Sequence, residues 1–402
     1  MTRNFFFPLS PRPVILSVFD SPGFAQVLDR RKRLNPEKRE RIRKGVEQYV
    51  AARYAGMDPA DAALWMGYRE IEWVRYLNLY AEDRANRIAR TRALCPHKVW
   101  LADLHSHSAY SDGRAASLAE VSYWAAKHAI DLQTVADHDT IAQAVDIPPF
   151  ENLALGEEVV SNDGHHVVGI EVAQAIDPNR NKPLKERMED VRKANGYAIL
   201  AHPCGWRTTI YPQTQVDAVF QLDGGFGMEI GNGACNLFDY YDVTDASAVA
   251  LWDRLLSSGR RVIAFGNTDA HSVLEFGMVW NGFVGTRPKR SNLKRLCARG
   301  RHFVSDGPFV FLRVNDAAPG EICKAPRGKV ALSVEAYDSA GLAKLRLVKN
   351  GKVLKTLTNR KESPTFTAEL ADSVDGAPSY YRLEAYALDN RRAFTNPVWL
   401  SR

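Results

Sequence analysis

The stretch Asp103–Gly113 reads DLHSHSAYSDG, and its two histidines, His105 and His107, follow the apolar run VWLADL. On a β-strand, residues i and i+2 point to the same face, so both imidazoles would be directed at one point. The same sequence could also belong to a polar surface loop in which the two histidines have no binding role. The pair therefore indicates a binding site only if other segments of the chain bring ligands to the same place.

Between residues 97 and 308, short apolar runs alternate with amphipathic segments. The runs DLQTVAD (131–137), YAILAH (197–202) and RVIAFGN (261–267) have the length of strands, whereas SLAEVSYWAAKHA and SAVALWDRLLSSG have helical periodicity. Such alternation predicts a parallel sheet or a β/α barrel.

Histidines and carboxylates recur at the ends of these apolar runs. Besides the opening pair, they are Asp112, His138, Glu157, Glu158, His165, His166, His202, Asp269 and His271. In a β/α barrel all strand C-termini open on one face, so these side chains would converge.

Imidazole and carboxylate groups together suit zinc, manganese or iron, and no thiolate is required. The number of candidate ligands exceeds the four of one tetrahedral zinc, so we expect two or three divalent ions per chain. Each motif alone has a structural explanation: Asp112 as a turn residue, Glu157-Glu158 as a helix start, His202 as a core histidine. Their shared position at strand ends favours the metal site.

The elements HSHSAYSDG, ADHDT, LGEEV, HHVVG, LAHP and NTDAH, in this order, resemble the motifs of the PHP superfamily, named for polymerase and histidinol phosphatase. The resemblance implies a distorted (β/α)7 TIM-like barrel with a trinuclear metal centre. The stretch GRHFVSDGP (300–308) and the segment after it resemble the carbaryl-hydrolase-like branch, in which a β domain follows the barrel.

The resemblance also implies three ligand sets. One metal would be held by His105, His107, Glu158 and Asp269. A second would share Glu158 and add His166 and His202, and a third would be held by Asp112, His138 and His271. The sequence leaves open Glu157 against Glu158 and His165 against His166. Catalysis is expected to depend on Glu158, Asp269 and His202.

Three regions are predicted along the chain. Residues 1–96 form a helical region, residues 97–308 the PHP metallohydrolase barrel, and residues 309–402 an antiparallel, sandwich-like β domain. In the last region polar and apolar residues alternate, and Asn350-Gly351 between two such runs predicts a two-residue hairpin.

Composition narrows the class of protein. Charged residues make up 25% of the chain and its net charge is only +6, which does not indicate a nucleic-acid binder. The five cysteines show no CxxC pairing, which favours reduced thiols. Prolines interrupt the N-terminal apolar stretch and no apolar run has membrane-helix length, so a cytoplasmic protein without a membrane segment is expected.

The leading functional hypothesis is a metal-dependent phosphoesterase that uses a metal-activated hydroxide on a small phosphomonoester or phosphodiester. The same hydroxide could instead attack a carbamate, ester or amide. A third hypothesis is a noncatalytic, metal-stabilised binding module. Arg207, shortly after His202-Pro203, is a candidate for binding an anionic substrate; a surface arginine is the alternative. His128 is predicted to be a helix surface residue.

Overall fold

The computed structural model describes residues 81–111, 117–206, 209–223, 225–233, 243–271, 275–324 and 327–401 of the 402-residue chain. The chain divides into two units, Met1–Asp83 and Arg84–Arg402. The predicted N-terminal helical region up to residue 80 lies outside the described residues, and so do the candidate site residues Asp112 and Arg207. Within the second unit, residues 84–94 are helical.

Strands and helices alternate through the central region. They are β1 (Val99–Asp103), α1 (Leu118–Lys127), β2 (Leu132–His138), β3 (Leu153–Val159), β4 (Val167–Ile170), α2 (Leu184–Lys193), β5 (Tyr197–Leu200), β6 (Gly205–Trp206), β7 (Thr209–Ile210), α3 (Gln213–Ala218), β8 (Phe226–Asn232), α4 (Val243–Ser257), β9 (Val262–Asn267), β10 (Trp280–Val284), α5 (Leu293–Arg299) and β11 (His302–Ser305). The predicted strand runs coincide with β2, β5 and β9, and the predicted helices with α1 and α4. These predictions are confirmed.

Helix α1 begins at a capping box. The Ser117 hydroxyl accepts from the Glu120 N–H, and the Glu120 carboxylate accepts from the Ser117 N–H at 2.9 Å. The C-cap of this helix is His128, which is buried, so its prediction as a surface residue was wrong. Gly277 lies so close that a Cβ there would be 2.6 Å from the His128 ring, and burial lowers the pKa of His128 to about 3.

One mixed sheet of 15 strands includes all of these strands except β6 and β7, which pair with each other. Strands β1, β2 and β3 run parallel, as do β5, β8 and β9, and β4 lies antiparallel between β3 and β5. Among the described residues, no strand pairing closes the sheet, and an isolated parallel bridge joins Ser106 to Ala270. The fold is therefore α/β with a large mixed sheet; the expected barrel is not shown.

The central strands are buried on both faces. In β9, Val262 and Ala264 face a core shared with α2 and α4, whereas Ile263 and Phe265 face a second core on the other side. This alternation follows from the two-residue period of a strand. It explains why the sequence of β9 is continuously apolar.

The C-terminal region is mostly antiparallel. Its strands are β12 (Phe309–Val314), β13 (Ile322–Lys324), β14 (Gly328–Tyr337), β15 (Leu342–Lys349), β16 (Lys352–Thr358), β17 (Thr365–Val374), β18 (Ser379–Ala387), β19 (Arg392–Thr395) and β20 (Val398–Ser401). Asn350 and Gly351 have φ of 49° and 73° and join β15 to β16, which confirms the predicted hairpin. Strands β12, β14 and β17 form a separate sheet, whereas β19 pairs with β11 and so extends the main sheet. The domain boundary at residue 308 stays a prediction.

Candidate metal centre

Eight of the nine predicted ligand residues lie at one edge of the main sheet; the ninth, Asp112, lies outside the described residues. They follow the ends of β1, β5 and β9, or lie in the last two residues of β2 and β3: His105, His107, His138, Glu158, His202, Asp269 and His271. The eighth, His166, directly precedes β4. Because β4 is antiparallel to β3, its start lies at the same edge as the end of β3.

The deepest group consists of His105, His107, Glu158 and Asp269, all of them buried. His107 Nε2 lies 2.9 Å from Asp269 Oδ1, and His105 Nε2 lies 3.3 Å from both Glu158 Oε2 and Asp269 Oδ1. One nitrogen or oxygen from each residue lies within 4.8 Å of the others. Four donors at this spacing could hold one metal ion.

A second group shares Glu158 and adds His166 and His202. Glu158 Oε1 lies 3.0 Å from His166 Nδ1 and 3.3 Å from His202 Nε2. The neighbouring residues point elsewhere: the Glu157 carboxylate accepts from the Ile176 N–H, and the His165 ring contacts Tyr211. The structure thus brings Glu158 and His166, rather than Glu157 and His165, into the cluster.

A third group brings together His107, His138 and His271, each with one ligating nitrogen within 4.8 Å of the others. The rings of His138 and His271 lie 4.3 and 4.2 Å from that of His107. About a fifth to a quarter of each of these two side chains is exposed (21% and 24%), whereas His107 is fully buried. The cluster is therefore open to solvent on the side of His138 and His271.

The electrostatics of the cluster fit a divalent cation. Burial raises the pKa of Glu158, but the imidazoles around it lower that pKa well below its ordinary value, so the carboxylate stays ionised. For His105, burial lowers the pKa, yet Asp269 and Glu158 raise it well above normal. The site therefore attracts positive charge. His105 Nε2, His107 Nδ1 and Glu158 Oε2 are also buried without a hydrogen bond, a cost that a bound metal would remove.

Two of these residues have an unfavourable backbone conformation. His202 has φ of 28° and Asp269 has φ of 50°, in the left-handed region that favours glycine. Non-glycine residues there cost about 1–2 kcal/mol and concentrate at functional sites. The surrounding contacts hold both side chains in the cluster despite that cost.

Glu229 in β8 was not predicted as a site residue, yet it hydrogen-bonds to two ligand residues, His105 and His202. Its Oε1 accepts from His105 Nδ1 and Asn267 Nδ2, each at 2.9 Å. Its Oε2 accepts from the backbone N–H of His202 at 2.8 Å and from Asn232 Nδ2 at 2.9 Å. With Nδ1 of His105 donating to Glu229, Nε2 is the ring nitrogen that would offer its lone pair to a bound cation, as in carboxylate–histidine–metal triads.

Tyr211 has a similar relation to His202. Its hydroxyl donates to the Gly164 carbonyl oxygen and can accept from His202 Nδ1 at 3.4 Å. With the proton on Nδ1, the lone pair of His202 Nε2 would face Glu158 Oε1. In this tautomer Nε2 of His202 and Oε1 of Glu158 could both donate electron pairs to one cation.

Two further buried carboxylates fix the loops that carry the ligands. Asp103 accepts from the N–H and hydroxyl of Thr268. These hydrogen bonds connect the end of β1 to the residue that follows β9. Asp137 accepts from the Ser108 N–H at 2.8 Å and from the Ser111 hydroxyl at 2.7 Å. The histidines between these anchors are therefore held in fixed positions.

Comparison with protein-family models gives no match, and neither does comparison with curated proteins. Among solved structures, PsfC from Pseudomonas syringae is 15% identical over 48% of this chain and 85% of its own, with a TM-score of 0.34. The lesion-specific endonuclease PfuEndoQ from Pyrococcus furiosus is 17% identical over 50% of this chain and 56% of its own, with a TM-score of 0.36. These likenesses are too weak to assign fold or function.

Within the described part of the chain, the helices are all too short or too polar to cross a membrane.

Proposed function

We propose that this protein is a metal-dependent hydrolase of the PHP type that binds two or three divalent ions at this cluster. The observation that carries the proposal is the sharing of Glu158 between two ligand groups, with one oxygen near His105 and the other near His166 and His202. A carboxylate in this position would serve as a ligand in both groups. Zinc, manganese and iron all suit these imidazole and carboxylate donors.

In this proposal, His105, His107, Glu158 and Asp269 would hold the first metal, and Glu158, His166 and His202 the second. His138 and His271 would hold a third, with His107 or with Asp112, which remains a candidate from the sequence. Bound divalent ions lower the pKa of water and polarise the oxygen of an ester.

The chain's own residues would then orient the ligands and exclude bulk water. Glu229 keeps the Nε2 lone pair of His105 directed at the cluster, and Tyr211 does the same for His202. Asp269 and Glu158 are almost fully buried, so their charges act in a medium of low dielectric constant. Substrate would enter where His138 and His271 are partly exposed.

A small phosphate ester is the proposed substrate. Several cations at one site stabilise the charge that spreads over the phosphoryl oxygens during transfer. Arg207 remains a proposed contact for the substrate anion. A distorted barrel also belongs to the proposal, and the parallel bridge from Ser106 to Ala270, between the segments after β1 and β9, supports it.

The four described cysteines are buried free thiols, which favours a reducing compartment, and we propose the cytoplasm.

Matched nitrophenyl substrates test the proposal: a phosphate monoester, a phosphate diester, and a carbonyl ester or carbamate, each with one manganese- or zinc-loaded preparation. We expect phosphate turnover that chelation abolishes and Asp269→Ala eliminates. Asp372→Ala in β17, whose carboxylate pairs with Lys349, is the control and should retain full activity. Turnover of the carbonyl substrates alone would contradict the phosphoesterase assignment. Turnover that survives chelation would contradict the metal mechanism.

A further inference from the structure

A cavity of about 650 Å³ lies on the molecule far from the candidate metal centre. Its lining includes Tyr197, the first residue of β5. It also includes Gly225, Arg261 and Arg301, which directly precede β8, β9 and β11, respectively. The metal cluster follows the opposite ends of β5 and β9, and these strands run parallel to β8. Six residues of β9 separate the two sites, a distance of about 20 Å at 3.3 Å per residue.

Three exposed arginines give this cavity its charge. Arg261, Arg299 and Arg301 all line it, and arginine is always protonated in proteins. None of the ion pairs formed among the described residues involves these three side chains. The Arg261 guanidinium lies over the Trp399 ring, 4.8 Å from its centroid, which limits its movement.

The acidic residue of the cavity offsets only part of this charge. Glu321 is the one carboxylate among the described lining residues, and its Oε2 accepts from the Ala318 N–H at 2.9 Å. The carboxylate is thus engaged in capping its own turn. Three guanidiniums and one carboxylate leave the described lining of the cavity with a net charge of about +2.

The turn that forms one wall is fixed against the arginines. Gly320 has φ of 87°, and a Cβ there would lie 1.9 Å from the Arg299 carbonyl oxygen. Its N–H donates to the Pro397 carbonyl oxygen at 2.8 Å. Only glycine fits this close approach, so the turn at Gly320 is held at a fixed distance from the backbone of Arg299.

We propose that this cavity binds a small organic phosphate. Planar guanidinium groups match the oxygens of a phosphate in bidentate fashion, and a dianion offsets the excess positive charge. The volume is in the range of sites for small-molecule ligands, about 300–1,000 Å³, and exceeds what inorganic phosphate alone would fill. Tyr197 and Trp399 in the lining provide aromatic surface for the organic part. The site is independent of the proposed hydrolase activity.

Isothermal titration calorimetry with AMP, on the full-length metal-loaded protein, tests this site. Because AMP could also bind at the metal centre, the titration is repeated on Asp269→Ala, which leaves the arginines unchanged. Arg299→Ala/Arg301→Ala removes two guanidiniums, and Arg299→Lys/Arg301→Lys retains the charges without the planar forks. Arg295→Ala is the matched control, because Arg295 is an exposed arginine of the same helix, α5, and does not line the cavity.

We expect one AMP site that persists in Asp269→Ala, weakens by roughly tenfold for each arginine removed, and changes less than about twofold in Arg295→Ala. The double lysine variant should bind with intermediate affinity, and adenosine should not bind. Circular dichroism should show that all variants fold. Binding that is lost in Asp269→Ala but persists in the double alanine variant would overturn the proposal. So would equal binding of adenosine, or the absence of AMP binding at millimolar concentration.

Discussion

Replacing Glu229 by glutamine tests whether this buried carboxylate orients the metal centre. Glu229 accepts four hydrogen bonds, two at each oxygen. Glutamine keeps the shape but turns one of these oxygens into a donor, so two of the four donors lose their acceptor. If the new amide replaces Oε2, the Asn232 side chain can rotate to accept from it, but the His202 N–H cannot.

The magnitude follows from that count. A hydrogen bond to a charged group contributes about 1.5–3 kcal/mol, and the remaining bonds also lose their charged acceptor. We therefore expect Glu229→Gln to lower the free energy of unfolding by about 2–5 kcal/mol, measured by urea denaturation with the metal chelated. Metal affinity should fall about 10- to 100-fold, because the ring of His105 is no longer held in the ligating tautomer. Competition with a chromophoric chelator measures that affinity.

Glu384→Gln is the matched control. Glu384 is also a buried glutamate; it accepts from Arg382 and Tyr386, each at 2.7 Å, within β18. Its loss should destabilise the fold without changing metal affinity. Equal metal affinities in Glu229→Gln, Glu384→Gln and the parent protein would refute the orienting role.

Three other predictions concern single residues. Asp269→Ala should abolish turnover and reduce bound metal while the far-UV circular dichroism of the protein is retained; unchanged activity would disprove its role as a ligand. Tyr211→Phe removes the acceptor of His202 Nδ1 and should weaken metal binding several-fold, a loss that competition titration detects and that equal affinity would rule out. Burial lowers the pKa of His302 to about 4, so between about pH 6.5 and 4 the unfolded chain binds more protons than the folded one. Its contribution to stability is complete above pH 6.5, and about 2 kcal/mol of it should be lost between pH 7 and pH 5. His302→Gln should flatten this pH dependence in urea titrations, and an unchanged slope would contradict the assignment.

The sequence predicted the parts of the site that local patterns encode. Apolar runs of strand length located β2, β5 and β9, and the histidines and acids at their ends identified the residues that the fold brings together. Glu158 and His166 could not be separated from their neighbours, because the choice depends on which face of β3 and β4 meets the cluster.

Contacts between distant segments were the part that could not be predicted. Glu229 hydrogen-bonds to His105, 124 residues away, and the only local sign was an acid inside the apolar run FGMEIG. His128 is buried by Gly277, which no periodicity of its own helix reveals. The pairing of β19 with β11, which continues the main sheet into the C-terminal region, likewise depends on tertiary structure.

Metal content per chain tests the central claim most directly. The protein would be stripped with a chelator, reloaded with manganese or zinc, desalted and measured by plasma mass spectrometry beside Asp269→Ala. Two or three tightly bound ions per chain, reduced in the variant, are the result we predict. Less than one ion per chain, or the same content in both proteins, would contradict a multinuclear metal centre at this cluster.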